Sequence, residues 1–183
     1  MKKAVSKFVF GFLEALIVAS LGAFVFALIV PDLFSVCVGS TKAPTCASFG
    51  VFNILYKEEK IQYEETTILF VVIRAMVLIC AVLVLLSVFA ALLGYMGKSV
   101  KVLPERIIFL TMTALITLSV VYSVQWCQSK LYGTSVLKVF PFHDLRPISQ
   151  NLALPYFMVS LYPMILVFFF MGIFLTDKKE KTD

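Results

Sequence analysis

Four apolar runs, residues 8–30, 67–95, 107–125 and 154–175, constrain this chain more than any other feature. At about 1.5 Å of rise per helical residue, each is long enough for a hydrocarbon core of roughly 30 Å. A backbone in lipid has to satisfy its own hydrogen bonds, so the runs are predicted to be helices. Composition agrees: 61% of the 183 residues are hydrophobic and 15% charged, with a mean hydropathy of +0.98. No soluble domain has a surface for that composition. Met1-Lys2-Lys3 precedes the first run as it would in a signal peptide. The run is too long for one, however, and no Ala-x-Ala pattern closes it, so it reads as a retained helix.

The expected organisation is a single four-helix membrane domain. It comprises a first helix (8–30), a first external loop (31–66), a second helix (67–95), a cytosolic turn (96–106), a third helix (107–125), a second external loop (126–153), a fourth helix (154–175) and a cytosolic tail (176–183). A net charge of +5 raises the question of nucleic acid, but the basic residues sit at the ends of apolar runs and form no patch. They report orientation instead. Lys2, Lys3, Lys7, Lys98, Lys101, Arg106, Lys178, Lys179 and Lys181 put nine on one side, in short segments tight against helix ends. Lys42, Lys57, Lys60, Lys130, Lys138 and Arg146 put six on the other. Both termini are therefore predicted to be cytosolic and both loops external.

Between the first two helices lies a polar passage from Asp32 to Cys46. Cys37 and Cys46 frame eight residues that include Gly39 and Pro44, a composition that turns a chain back on itself. On an oxidising side of the membrane the two thiols should be bonded, giving a disulfide-pinned extracellular β-hairpin or short sheet; the plainer reading is two unrelated free thiols. Phe49 to Tyr56 is apolar and aromatic and ends in charges, which suits either a short helix lying on the membrane or a strand covering the hairpin. Cys127 leaves an odd external cysteine: free, lipid-facing, or competing for Cys37 or Cys46. Cys80 reads as a small packing residue.

Two charges lie inside the apolar runs. Glu14 should snorkel to the inner interface, face the bundle or be protonated. Arg74 lies about two turns from the outer end of an over-long second run, and rise arithmetic leaves on the order of 10 Å between the two levels, so the pair should not meet. Arg74 is expected to bond carbonyls of the first external loop instead. Gly11, Ala15, Ala19, Ser20, Gly22 and Ala23 are expected to permit close helix contact. In the third run, Thr111, Thr113, Thr117 and Ser119 should bond within the helix or across to a neighbour, and Tyr122 and Trp126 should mark the aromatic belt. Pro104 should open that helix, and Pro163 should kink the fourth. The second external loop offers Phe140 and Phe142 to a partner, or rests them on headgroups.

Chemistry is scarce. The single histidine, His143, rules out a histidine metal cluster and makes a nucleophile triad unattractive. There is no Cys-x-x-Cys, no glycine-rich phosphate loop, no pair of intramembrane carboxylates and no internal repeat. No catalytic, cofactor or metal residues are assigned.

Several short motifs point to a family. Leu33-Phe34-x-x-Cys37 followed by Cys46 resembles the claudin-superfamily signature Gly-Leu-Trp-x-x-Cys…Cys, with Asp32 in the Gly place and Phe34 in the Trp place. Ile73-Arg74-Ala75-Met76-Val77-Leu78 is similar to the claudin Ala-Arg-Ala-Leu-Met-Ile. Trp126 with Leu131-Tyr132-Gly133 resembles the passage after the third claudin helix, and Leu154-Pro155-Tyr156 the opening of the fourth. The resemblance implies an all-α integral membrane protein, a four-transmembrane-helix bundle carrying the disulfide-pinned hairpin or sheet. This chain lacks the stretch that precedes the signature in claudins, so most of their extracellular sheet is expected to be missing. The superfamily also contains peripheral myelin proteins, calcium-channel gamma subunits, receptor auxiliary proteins and clarins, which pack beside other membrane proteins or across an intercellular gap.

The expectation is a non-enzymatic tetraspan of the plasma membrane. It would organise or modulate other integral membrane proteins, or itself, within the bilayer. The alternatives are a cell–cell adhesion or junction component acting through its loops, and a small membrane enzyme or transporter built on Glu14 and Arg74.

Overall fold

In a computed structural model, the residues described are 2–31, 33–38, 45–56, 58–63, 68–96, 103–132 and 156–180. They form α1 (Lys2–Ile29), β1 (Phe34–Val38), β2 (Thr45–Phe49), β3 (Asn53–Tyr56), β4 (Glu59–Gln62), α2 (Ile68–Tyr95), α3 (Leu103–Tyr132) and α4 (Tyr156–Glu180). All four helices are long and apolar enough to cross a membrane, which makes this a multi-pass membrane protein.

Helix ends depart from the hydropathy pattern. α3 runs past Trp126 and Cys127 to Tyr132, beyond both ends of the apolar run 107–125. Part of the expected second external loop is thus helical. α4 continues to Glu180, through charged residues assigned to the cytosolic tail, and passes through Pro163. Apolarity marks only the lipid-facing length of a helix, whereas Gln, Lys and Glu extend its backbone readily.

Burial along each helix repeats at alternating steps of three and four. α1 buries Phe10, Leu13, Ile17, Ser20, Phe24 and Ala27, and α4 buries Phe157, Leu161, Met164, Phe168, Met171 and Leu175. That is the narrow seam of helices packed at small crossing angles. The remaining faces carry large exposed apolar side chains, as a lipid-contacting surface does.

The chain divides into two compact units. The first comprises Met1–Phe24, Ile79–Thr117 and Ser160–Asp183. Here Phe10 stacks on Tyr95 with ring centroids 4.0 Å apart and lies 6.1 Å from Phe174. Ser87 Oγ and Thr111 Oγ1 stand 2.8 Å apart between α2 and α3. Each hydroxyl also has a carbonyl of its own helix within reach, Leu83 for Ser87 and Ile107 for Thr111, so one proton bonds back while the other crosses, and buried hydroxyls tie these helices where apolar contact has no water to exclude. Thr113 and Thr117 bond back within α3. Gly94 faces Pro104 and Leu175 with no room to spare. Of the small residues of α1, Gly11, Ala15, Ala19 and Gly22 lie on the exposed face, and only Ser20 among the six is buried.

The second unit comprises Val25–Leu78 and Leu118–Val159. Its sheet is an antiparallel meander in the order β1-β2-β3-β4. The segment left open between surface helix and strand is strand, and the shortened loop builds four strands, more than the resemblance implied. The register explains their docking. Phe34, Phe49, Ile54 and Ile61 occupy one cross-strand row. Directly opposed residues share a face, so this row gives the sheet one apolar side. Phe49 and Ile54 are fully buried, and Phe49 meets Phe70 of α2 edge-on at 6.5 Å. The neighbouring row, Ser35, Ser48, Leu55 and Lys60, belongs to the more polar face, as does the opposed pair Cys37 and Cys46.

Candidate functional site

The strongest constellation in the second unit is a clamp on the turn between β2 and β3. Gly50 begins that turn, and its N–H donates to the Asn53 carbonyl at 2.9 Å. A β-carbon on Gly50 would lie 2.7 Å from Pro31 Cα, so only glycine lets the turn lie against the chain leaving α1. Leu33, fully buried, donates its N–H to the Phe49 carbonyl at 2.8 Å.

Two side chains hold the turn by consecutive carbonyls. The Tyr63 hydroxyl donates to the Gly50 carbonyl at 2.7 Å. Arg74 Nε donates to the Val51 carbonyl. The Arg74 guanidinium lies 4.4 Å from the centre of the Tyr63 ring, so the two holders also contact each other. Phe70 completes the group, its ring 5.5 Å from that of Tyr63. Burial pushes the Tyr63 phenol above its ordinary pKa, and the nearby Arg74 charge only partly opposes this. The phenol therefore stays protonated and remains a donor.

The bond expected from Arg74 to the first loop is thus present. Sequence reasoning missed Tyr63, Gly50, Val51 and Pro31. Only Gly50 carried a signal, as the sole glycine between two strand-like stretches.

The other sequence-selected residues are dispersed. Cys37 and Cys46 are backbone partners in the β1–β2 ladder, and Phe34 opens β1 opposite Phe49. Among the described residues the free cysteines are Cys80, buried as expected, and Cys127, exposed. Tyr122, expected at an interface, is 1% exposed and part of the core. Trp126 is half-buried within α3 rather than following it. Phe140, Phe142 and His143 lie outside the described residues.

Glu14 belongs to the first unit and Arg74 to the second. Both Glu14 carboxylate oxygens are buried and have no hydrogen-bond partner among the described residues. No group of three or more His, Cys, Asp or Glu is placed to hold a metal among the described residues.

What the site does is mechanical. It fixes a small sheet to the first turns of a membrane-spanning helix through one carbonyl held by Arg74, a cation over the Tyr63 ring and a buried aromatic contact, with Tyr63 holding the neighbouring carbonyl from the strand-to-helix connection. The chain matches no protein-family model and no curated protein.

Proposed function

We propose that this chain is a non-enzymatic, claudin-like tetraspan of the plasma membrane that associates laterally with other integral membrane proteins and organises or modulates them. The observation that carries the reading is the clamp of Arg74 and Tyr63 on the β2–β3 turn. An arginine on the second helix that holds an extracellular sheet fits the architecture the signature-like residues Leu33, Phe34, Cys37, Cys46 and Arg74 imply. Such a clamp gives a rigid scaffold and has no evident use in catalysis. The exposed apolar faces of four helices supply lateral surface.

In this reading both termini are cytosolic and the sheet is extracellular. Cys37 and Cys46 form a disulfide there. Directly opposed antiparallel residues have Cα atoms about 4.5–5.5 Å apart, inside the roughly 4.4–6.8 Å range that a disulfide spans. Non-reducing peptide mapping of surface protein checks the bond, and recovery of both as free thiols removes it. Purification from native membranes in mild detergent tests the function. The expected result is a stoichiometric integral membrane partner, and a chain that purifies alone and monodisperse counts against it.

A second reading, adhesion between cells, gains from the four-stranded sheet, which offers more surface than the shortened loop promised. Glu58, Glu59 and Lys60 make an exposed charged end for it. Enrichment of the tagged protein where two expressing cells touch, and not at free edges, would favour this reading over the first.

A further inference from the structure

The sheet has two unlike ends. In an antiparallel meander of four strands, the start of β1, the β2–β3 turn and the end of β4 fall at one end. The chain arrives there from α1 through Pro31 and Leu33, and leaves there through Tyr63 for α2. That end therefore faces the bilayer the helices enter. The opposite end carries the β3–β4 turn with exposed Glu58, Glu59 and Lys60.

Phe52 sits at the bilayer-facing end. Its large apolar side chain is left exposed, at 55%. Its turn is tied by Val51 to Arg74, six residues into α2 from Ile68. By helical rise this is about 9 Å along the helix. The 28 residues of α2 exceed a core of roughly 30 Å by about 12 Å. Surplus shared between the two ends puts Arg74 about 3 Å inside the hydrocarbon boundary; surplus wholly on this side puts it about 3 Å outside. Val71 and Val72, in the turn before Arg74, are exposed, so lipid-facing helix surface continues to the same level.

A turn can enter a region of low polarity only if its backbone polar groups are occupied. Here three of those groups are occupied: the Gly50 carbonyl by Tyr63, the Val51 carbonyl by Arg74 and the Gly50 N–H by the Asn53 carbonyl. We propose that the β2–β3 turn is a lipid-inserted wedge. Phe52 sits among the glycerol and upper acyl carbons of the phospholipids on the sheet's side, and the clamp occupies the two carbonyls that precede it, which lowers the cost of entry. The occupant is phospholipid because the wedge continues the lipid-facing surface of α2. This inference stands independently of which protein the helices associate with.

The test uses the full chain in phosphatidylcholine nanodiscs and in native membranes, with Phe52 replaced by p-benzoylphenylalanine and, as a control, the same group at Glu59. After irradiation, mass spectrometry should find phospholipid attached at position 52 in both settings and none above background at 59. Equal lipid labelling at the two positions, or a protein adduct in place of lipid at 52 in native membranes, overturns the proposal. Phe52→Trp gives a second readout. The emission it adds to that of the single native tryptophan should be lost with lipids brominated near the ester and untouched by aqueous iodide, and the reverse pattern overturns the proposal.

Discussion

Replacing Arg74 by alanine isolates the clamp. The substitution removes a charge-assisted hydrogen bond to the Val51 carbonyl, worth about 1.5–3 kcal/mol. It also removes a cation lying 4.4 Å over the Tyr63 ring, worth about 0.5–2 kcal/mol. Freeing the long side chain returns up to about 2 kcal/mol of entropy. Taken at mid-range these leave a net loss of about 2–3 kcal/mol, localised to the attachment of the sheet. Hydrogen exchange in nanodiscs reads this directly, because the Leu33 and Gly50 amides are held by bonds to Phe49 and Asn53 in that region. Exchange across residues 33–63 should accelerate about thirty- to a hundred-and-fiftyfold, with the amides of Ile79–Thr117 unchanged. Tyr63→Phe, which keeps the ring and loses the hydroxyl, should cost about 1 kcal/mol. In the cycle of Arg74→Ala with Tyr63→Ala, the coupling should match the cation–ring contact, about 0.5–2 kcal/mol. Unchanged exchange in Arg74→Ala, or acceleration spread equally over every helix, would refute the local clamp.

Gly50→Ala places a β-carbon 2.7 Å from Pro31 Cα and should destabilise the second unit by about 1–3 kcal/mol, seen as the same localised rise in exchange. Glu58, in the β3–β4 turn, has a positive φ of 68°; Glu58→Gly should slow exchange in that hairpin, with a gain of about 1 kcal/mol. Glu14→Leu removes two buried oxygens that have no partner among the described residues and should raise thermal stability by about 1–3 kcal/mol, whereas a carboxylate used in transport would make the variant lose activity instead. Because the Tyr63 phenol titrates above its ordinary value, its contribution should be intact below about pH 10 and fall away only as pH rises further. Exchange of the Gly50 amide should thus be protected equally at pH 6 and pH 9 once the intrinsic rate is corrected, and an early loss would contradict the buried donor.

Element type was legible here, and packing was not. The four runs announced helices because lipid permits little else, and Arg74 announced a tie because an arginine near a helix end needs acceptors. Which face of each helix is buried could not be read: leucine or phenylalanine serves equally against lipid and against a neighbouring helix. Gly11, Ala15, Ala19 and Gly22 lie exposed on α1, since smallness permits contact without requiring it within the chain. The true seams are marked by Ser20, Ser87, Thr111 and Gln125, which are buried and polar. The clamp itself joins Gly50, Tyr63 and Arg74 across 24 residues. Only the sheet register, with Phe34, Phe49, Ile54 and Ile61 in one row, brings the turn back to α2.

Lateral association is the central claim, and photo-cross-linking in intact cells tests it most directly. p-Benzoylphenylalanine is placed in turn at Val18, Leu85, Val120 and Leu166, one exposed position on each helix. The account predicts that at least one of the four yields a reproducible adduct with a second integral membrane protein, while the others yield lipid. Lipid adducts alone at all four positions, in cells where the chain is at the surface, would contradict it.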